Sequence, residues 1–326
     1  MKPADDARWL AAALALAERG RGTTAPNPAV GCILVKDGRV VGRGWTQPGG
    51  RPHAEAMALM QAGDAARGAT AYVTLEPCAH DSRRGAACSD LLVEAGVARV
   101  AAAVEDPDPR TAGRGFARLH DAGIAVTSEL LPDAAMRSMA GFFTRRRHGR
   151  PHVTLKLATS LDGCIALRGG QSQWITGEAA RAHAHLERAR VEMIVVGRGT
   201  WKADQPRLDV RLPGLEGRAP RRAMLTGNGA AVDGWTLLPH PSSIADQAGV
   251  DHVLVEGGAG TAAAFVAADL VDRLLVYRAP ILIGGGLPAL GDIGLVDLAG
   301  AHRRWTLFDR RLLGSDVLEV YERARD

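Results

Sequence analysis

The stretch from His53 to Cys88 constrains this chain more than any other. It opens with His53-Ala54-Glu55 and closes with Thr74-Leu75-Glu76-Pro77-Cys78, a loop, and Cys88. One imidazole and two thiols make three of the four ligands that a tetrahedral zinc takes, and a catalytic site leaves the fourth position for water. Bound zinc lowers the pKa of that water from about 15.7 to about 7. Glu55, two residues beyond the histidine, is placed to carry protons rather than to bind metal. A purely structural zinc would leave that acid without a role.

Local patterns put the ligands at the starts of helices beside the end of a strand. His53 precedes the helix-like run Ala54 to Met60, ended by Gly63, and Cys88 precedes Ser89 to Glu94, ended by Gly96. Tyr72-Val73-Thr74-Leu75 reads as a buried strand. An H-x-E, then P-C and a second cysteine, is the arrangement by which activated water attacks the ring carbon bearing an exocyclic amine on a pyrimidine or purine. Here nine residues separate the two cysteines, and that loop carries His80, Arg83 and Arg84, a cationic set suited to an anionic substrate.

At 326 residues the chain is long enough for two domains, and its 46% hydrophobic and 23% charged composition is that of a globular protein. No apolar run approaches the ~20 residues of a membrane span. The polar, acidic start Met1-Lys2-Pro3-Ala4-Asp5-Asp6 does not read as a signal peptide, and four cysteines suit a reducing compartment, so the expectation is a cytoplasmic enzyme. A net charge of +4 with only 4% aromatic residues argues against nucleic-acid binding, which needs phosphate neutralisation and stacking platforms. The run Arg145-Arg146-Arg147-His148-Gly149-Arg150 reads as a solvated helix end and interdomain linker.

Taken in order, the first half alternates helices and strands with short turns, which implies a three-layer α/β domain. A helix from Trp9 to Arg19 stops at Gly20, and Val30 to Val35 and Val40 to Gly44 pair across the turn Lys36-Asp37-Gly38-Arg39. Val97 to Val104 is a further strand, and it ends in Glu105-Asp106-Pro107-Asp108-Pro109, where open sheets place ligands. Asp106 there suits either a substrate contact or plain turn chemistry. A helix over Arg114 to His120, a strand over Ile124 to Thr127, and one helix over Pro132 to Arg147 complete the half. In the second half, Val253-Leu254-Val255 is a strand running into glycines and a helical segment whose first N–H groups could cradle phosphate.

The chain resembles the bifunctional riboflavin-biosynthesis deaminase-reductase family. The resemblance rests on Pro26-Asn27-Pro28 with Val30-Gly31-Cys32, on His53-Ala54-Glu55, and on the Glu76-Pro77-Cys78-Ala79-His80 loop. It continues through Pro151 to Gly163, Ser172 to Gly177, Val195 to Thr200 with Ala203-Asp204, and Val253 to Gly260. It implies a cytidine-deaminase-like three-layer α/β/α domain over residues 1–148 and a dihydrofolate-reductase-like α/β domain over 149–326.

In such an enzyme zinc on His53, Cys78 and Cys88, with Glu55 as proton carrier, deaminates 2,5-diamino-6-ribosylamino-4(3H)-pyrimidinone 5′-phosphate. NADPH then reduces the ribosyl side chain to ribityl. Asn27 would meet the base and His80 with Arg83 or Arg84 the phosphate. NADPH would lie against Ala158, Trp174, Thr200, Asp204 and Gly258, while Lys156, Ser172, Arg188, Leu208, Arg211 and Glu256 would face the substrate.

Several features depart from the family pattern, among them Lys202 at a position usually apolar, Gln205 at one usually Asp or Asn, and Cys164 at one often Arg. The cysteine loop is one residue longer, and the segment between Arg222 and Asp251 is short, which predicts weaker cofactor binding. The other readings left open are a deaminase with a degenerate or repurposed second half, an RNA-binding or RNA-editing protein, and a zinc-stabilised interaction module. The sequence leaves homo-oligomerisation open.

Overall fold

The structure is a computed structural model that describes residues 3–80, 84–227, 229 and 231–325. The chain divides into two compact units, Met1–Gly149 and Arg150–Asp326.

The first unit holds a five-stranded sheet in the order β2-β1-β3-β4-β5. Its strands are β1 (Gly31–Lys36), β2 (Arg39–Trp45), β3 (Thr70–Val73), β4 (Arg99–Ala102) and β5 (Ala125–Thr127). β1 is antiparallel to both β2 and β3, and β3, β4 and β5 run parallel. Helix α1 (Pro3–Ala17) covers one face with α5 (Pro132–Ser138); α2 (Ala54–Ala62), α3 (Cys88–Glu94) and α4 (Arg114–Asp121) pack in series on the other. The core between them is built from Leu34, Tyr72, Val73, Leu92, Val100 and Leu119. Cys32 is fully buried in β1, where it acts as a small apolar side chain.

The helix that carries Glu55 lies directly on strand β2, and glycines make that approach possible. A Cβ at Gly44 would stand 2.0 Å from the Ala54 carbonyl oxygen, and one at Gly42 would stand 2.2 Å from that of Ala58. The single helix expected over Pro132 to Arg147 is two, α5 and α6 (Ala140–His148). They part at Met139, whose φ of −107° and ψ of 27° leave the helical region, and that buried side chain anchors the bend in the core.

The second unit is a mainly parallel eight-stranded sheet in the order β10-β9-β8-β11-β6-β12-β15-β14. Its strands are β6 (His152–Thr159), β8 (Met193–Gly197), β9 (Arg221–Leu225), β10 (Trp235–Leu238), β11 (His252–Val255), β12 (Arg273–Arg278), β14 (Trp305–Leu313) and β15 (Asp316–Arg323). A separate pair joins β7 (Cys164–Ala166) to β13 (Leu287–Pro288). The helices are α7 (Glu178–Arg188), α8 (Arg198–Asp204) and α9 (Ala259–Ala267). β11 enters between β8 and β6, which brings its carboxyl end at Glu256 beside α7 and Lys156. The short segment after Arg222 still supplies a parallel strand, β10, followed by a 3-10 turn at Pro241–Ile244.

Candidate active site

His53, Cys78 and Cys88 converge in the first unit, their ligand atoms all within 4.8 Å of one another. His53 is the residue immediately before α2, and its Nδ1 lies 3.3 Å from Cys88 Sγ and 3.6 Å from Cys78 Sγ. Ligands on zinc at about 2.0–2.3 Å in a tetrahedron stand roughly 3.4–3.8 Å apart, so this spacing fits the ion. Cys88 opens α3, and its backbone N–H donates to Cys78 Sγ at 3.3 Å. The Cys88 thiol, then His53, lower the Cys78 thiol below its ordinary value against the opposing effect of burial, toward the thiolate that binds metal.

Glu55 sits in the first turn of α2, 3% exposed, beside Cys88 and His53. Burial pushes its carboxyl above the usual range, which is the shift a group needs to take up and release a proton near neutrality.

Asn27, expected at the base edge, lines the same cleft but is also tied to the histidine. Its Nδ2 donates to the Gly50 carbonyl at 2.8 Å and lies 3.0 Å from His53 Nε2, on the side of the ring away from the sulfurs.

A cleft of about 540 Å³, open to solvent, leads to these residues, and Asn27, His53, Glu55, Cys78 and His80 line it. His80 Nδ1 stands 3.4 Å from Thr111 Oγ1. Arg83 lies outside the described residues. Arg84 donates to the Gly49 carbonyl, and its side chain is absent from the cleft lining.

Several lining residues carry no motif of their own. Glu76 accepts backbone N–H bonds from Asp106, Gly113, Gly115 and Phe116, which clamps the 106–116 segment to the cysteine loop. Arg146 reaches Asp108 at 2.9 Å and lines the cleft, so part of the basic run expected to be a solvated linker is a wall of the site. The break at Met139 sets the direction of the helix that carries it.

Asp106 combines both readings of its position: it lines the cleft, and its Oδ1 accepts the Asp108 backbone N–H at 2.9 Å. Burial raises its carboxyl from 3.8 to about 6. The folded protein thus keeps a proton that the unfolded chain has lost, and this contribution to stability, full below pH 3.8, is lost as pH rises through about 6. Asp106→Asn should flatten the fall in stability between those values, by at most about 3 kcal/mol, in denaturant titrations across that range. An unchanged profile would contradict the assignment.

In the second unit, Arg188 clasps the Glu256 carboxylate through Nε at 2.7 Å and Nη2 at 2.9 Å, with Lys156 Nζ 3.8 Å away. Burial alone would push Glu256 up, yet Arg188 and then Lys156 hold it down to about 2. Arg188 also donates to the Asp209 carbonyl, and Arg211 Nε stands 3.3 Å from His185 Nε2. Leu208, with φ at 53°, is buried in a cluster with Val191, Ile194 and Leu254.

Among the residues expected at the cofactor, Thr200 and Gly258 meet: the Gly258 N–H, at the start of α9, donates to Thr200 Oγ1 at 3.2 Å. The turn between them is bare by necessity, since a Cβ on Gly257 would stand 2.5 Å from Thr261 Cβ. That cradle of backbone fits a nucleotide. Trp174 is 63% exposed with the Arg181 guanidinium 4.8 Å from its ring centre. Ala158 on β6 and Ser172 are half-buried, and Asp204 is exposed at the end of α8.

Comparison with known proteins covers both units. The cytidine and deoxycytidylate deaminase zinc-binding region matches residues 3–104, and the RibD C-terminal domain matches residues 151–233 and 242–318. The chain is 39% identical to the riboflavin biosynthesis protein RibD of Escherichia coli (strain K12), over 96% of this chain and 98% of that protein. It is 40% identical to RibD of Bacillus amyloliquefaciens over 86% and 85%. Among solved structures, Acinetobacter baumannii RibD is similar with a TM-score of 0.87 at 34% identity, covering 99% of this chain and 100% of that one. A Thermotoga maritima diaminohydroxyphosphoribosylaminopyrimidine deaminase/5-amino-6-(5-phosphoribosylamino)uracil reductase gives 0.89 at 29% identity with the same coverage. With zinc-ligand geometry in one unit, a RibD C-terminal domain in the other, and relatives this similar over nearly the whole length, the chain belongs to the RibD family of riboflavin biosynthesis, a zinc-dependent deaminase fused to a reductase.

Proposed function

We propose that the first unit deaminates 2,5-diamino-6-ribosylamino-4(3H)-pyrimidinone 5′-phosphate and that the second reduces the ribosyl side chain of the product with NADPH. The observation that carries the reading is the convergence of His53, Cys78 and Cys88 beside a buried Glu55 at the inner end of a cleft. Zinc held by the three ligands would supply a water of pKa near 7 and so a nucleophile at neutral pH. Glu55, buried beside that position, would take up a proton there and pass it to the departing ammonia. Asn27 and His80 would face the substrate from the walls of the cleft.

In the second unit, NADPH would lie against Ala158, Trp174, Thr200, Asp204 and the backbone at Gly258, and it supplies the hydride. Lys156, Ser172, Leu208, Arg211 and the Arg188–Glu256 pair would hold the ribosyl end of the substrate. The pair is pre-formed and largely buried, so it offers substrate a fixed set of charges rather than side chains to be ordered. A cytoplasmic setting suits a chain whose four cysteines are all unpaired and buried. Among the described residues no helix is long and apolar enough to cross a membrane.

The test is sequential. Zinc-loaded protein given the pyrimidine phosphate should release ammonia, and then consume one NADPH per ammonia. Ammonia release without NADPH oxidation, even with the deaminated intermediate supplied, would assign the activity to the first unit alone.

A further inference from the structure

We propose that His185 is a positioning residue of the second unit: as a neutral imidazole it fixes Arg211, and the segment before it, in the place from which Arg211 would face the substrate. The inference rests on the reductase reading above and adds to it a group that acts through another side chain rather than on the substrate. His185 and Arg188 lie three residues apart on α7, so they share one face of the helix. Both reach the same carbonyl: the Asp209 oxygen stands 3.1 Å from His185 Nδ1 and accepts from Arg188 Nη1 at 3.1 Å. Arg188 in turn clasps Glu256, so the ring ties the 209–211 segment to that buried pair.

Arg211 meets the ring twice, with its Nε 3.3 Å from Nε2 and its backbone nitrogen 3.3 Å from Nδ1. Both of these Arg211 groups can only donate. A neutral imidazole has one nitrogen able to accept, and with its proton on Nδ1, toward the Asp209 carbonyl, the accepting nitrogen is the one that faces the guanidinium. An imidazolium has no acceptor left and sets a second cation against Arg211. Burial, then Arg188 and Arg211, lower the His185 pKa from 6.5, against the Asp209 carbonyl and Glu256, so the ring carries no charge at physiological pH and gains its proton below 6.5.

Arg211 gains most from such a hold. Leu208 and Val210 are buried and anchor the segment, but the Arg211 side chain is 57% exposed. An exposed arginine loses rotamer freedom when it binds a ligand, and a partner that fixes it beforehand removes that cost from the binding step. The Asp209 carboxylate lies farther from Arg211 Nε, at 3.5 Å, and is shared with Arg207 at 2.9 Å.

The test uses full-length protein with NADPH and the deaminated pyrimidine phosphate supplied directly. His185→Ala should raise KM for the pyrimidine about 10-fold and leave kcat and the KM for NADPH within about twofold. Added to Arg211→Ala, it should change KM by less than about twofold, since the group it positions is gone. His185→Gln keeps a neutral acceptor and cannot be protonated. It should restore most of the affinity at neutral pH, and its KM should rise less than that of wild type as pH falls from about 7 to about 5. The substrate's phosphate, with a pKa of about 6, titrates alike in both proteins and cancels from the comparison. This arm also decides should His185→Ala fold poorly. A His185→Ala KM at the wild-type value, an undiminished effect on top of Arg211→Ala, or a His185→Gln acid limb identical to wild type would overturn the positioning role. Wild-type protein that oxidises no NADPH with this intermediate would instead remove the reductase reading, and the role of His185 with it.

Discussion

Replacing Glu55 by glutamine should cut ammonia release by about 10²- to 10⁴-fold while zinc stays bound at one ion per chain. The side chain keeps its size but can no longer accept a proton, and nothing else in the first turn of α2 offers a carboxylate. Burial, which raises the Glu55 carboxyl, also excludes bulk water from substituting efficiently as the proton carrier. Because His53, Cys78 and Cys88 supply the ligands, metal content measured by atomic emission should not follow the rate. A variant that retained full rate would take Glu55 out of the chemistry, and one that lost its zinc would make Glu55 a ligand instead.

The second large effect is expected at Glu256. Glu256→Gln removes the charge that neutralises Arg188 and Lys156 in a buried site, and breaking such a pair costs on the order of 3–5 kcal/mol. NADPH oxidation with the deaminated intermediate should be lost, and the second unit should melt earlier in thermal denaturation. The wild-type contribution also has a pH signature. Glu256 is held at about 2 against an ordinary 4.5, so its stabilisation is present above pH 4.5 and is lost as pH falls toward 2. The variant should lack that acid limb. A variant that reduced the intermediate at the wild-type rate would leave the Arg188–Glu256 pair with a structural role only.

What could be read from the chain alone follows from distance along it. The metal ligands and Glu55 were legible because H-x-E and P-C are local patterns, and helix starts and strand ends near them have local signals too. Glu76 stood inside the same motif, but its role depends on N–H groups 30 to 40 residues away, which no spacing rule reveals. Arg146 was hidden for the same reason. A basic run at a helix end has the composition of a solvated surface, and only the turn at Met139 and a partner 38 residues away make one of its members part of the cleft. In the second unit the strand at Val253 to Val255 was readable from its apolar run, whereas the insertion of β11 between β8 and β6, which assembles Lys156, Arg188 and Glu256, is a property of topology.

Zinc K-edge X-ray absorption on the full-length protein tests the central claim most directly. The expected spectrum shows one zinc per chain with two sulfurs at about 2.3 Å, one imidazole nitrogen at about 2.0–2.1 Å and a light oxygen atom completing four ligands. A metal-free protein after zinc loading, or an ion with no sulfur neighbours, would contradict it.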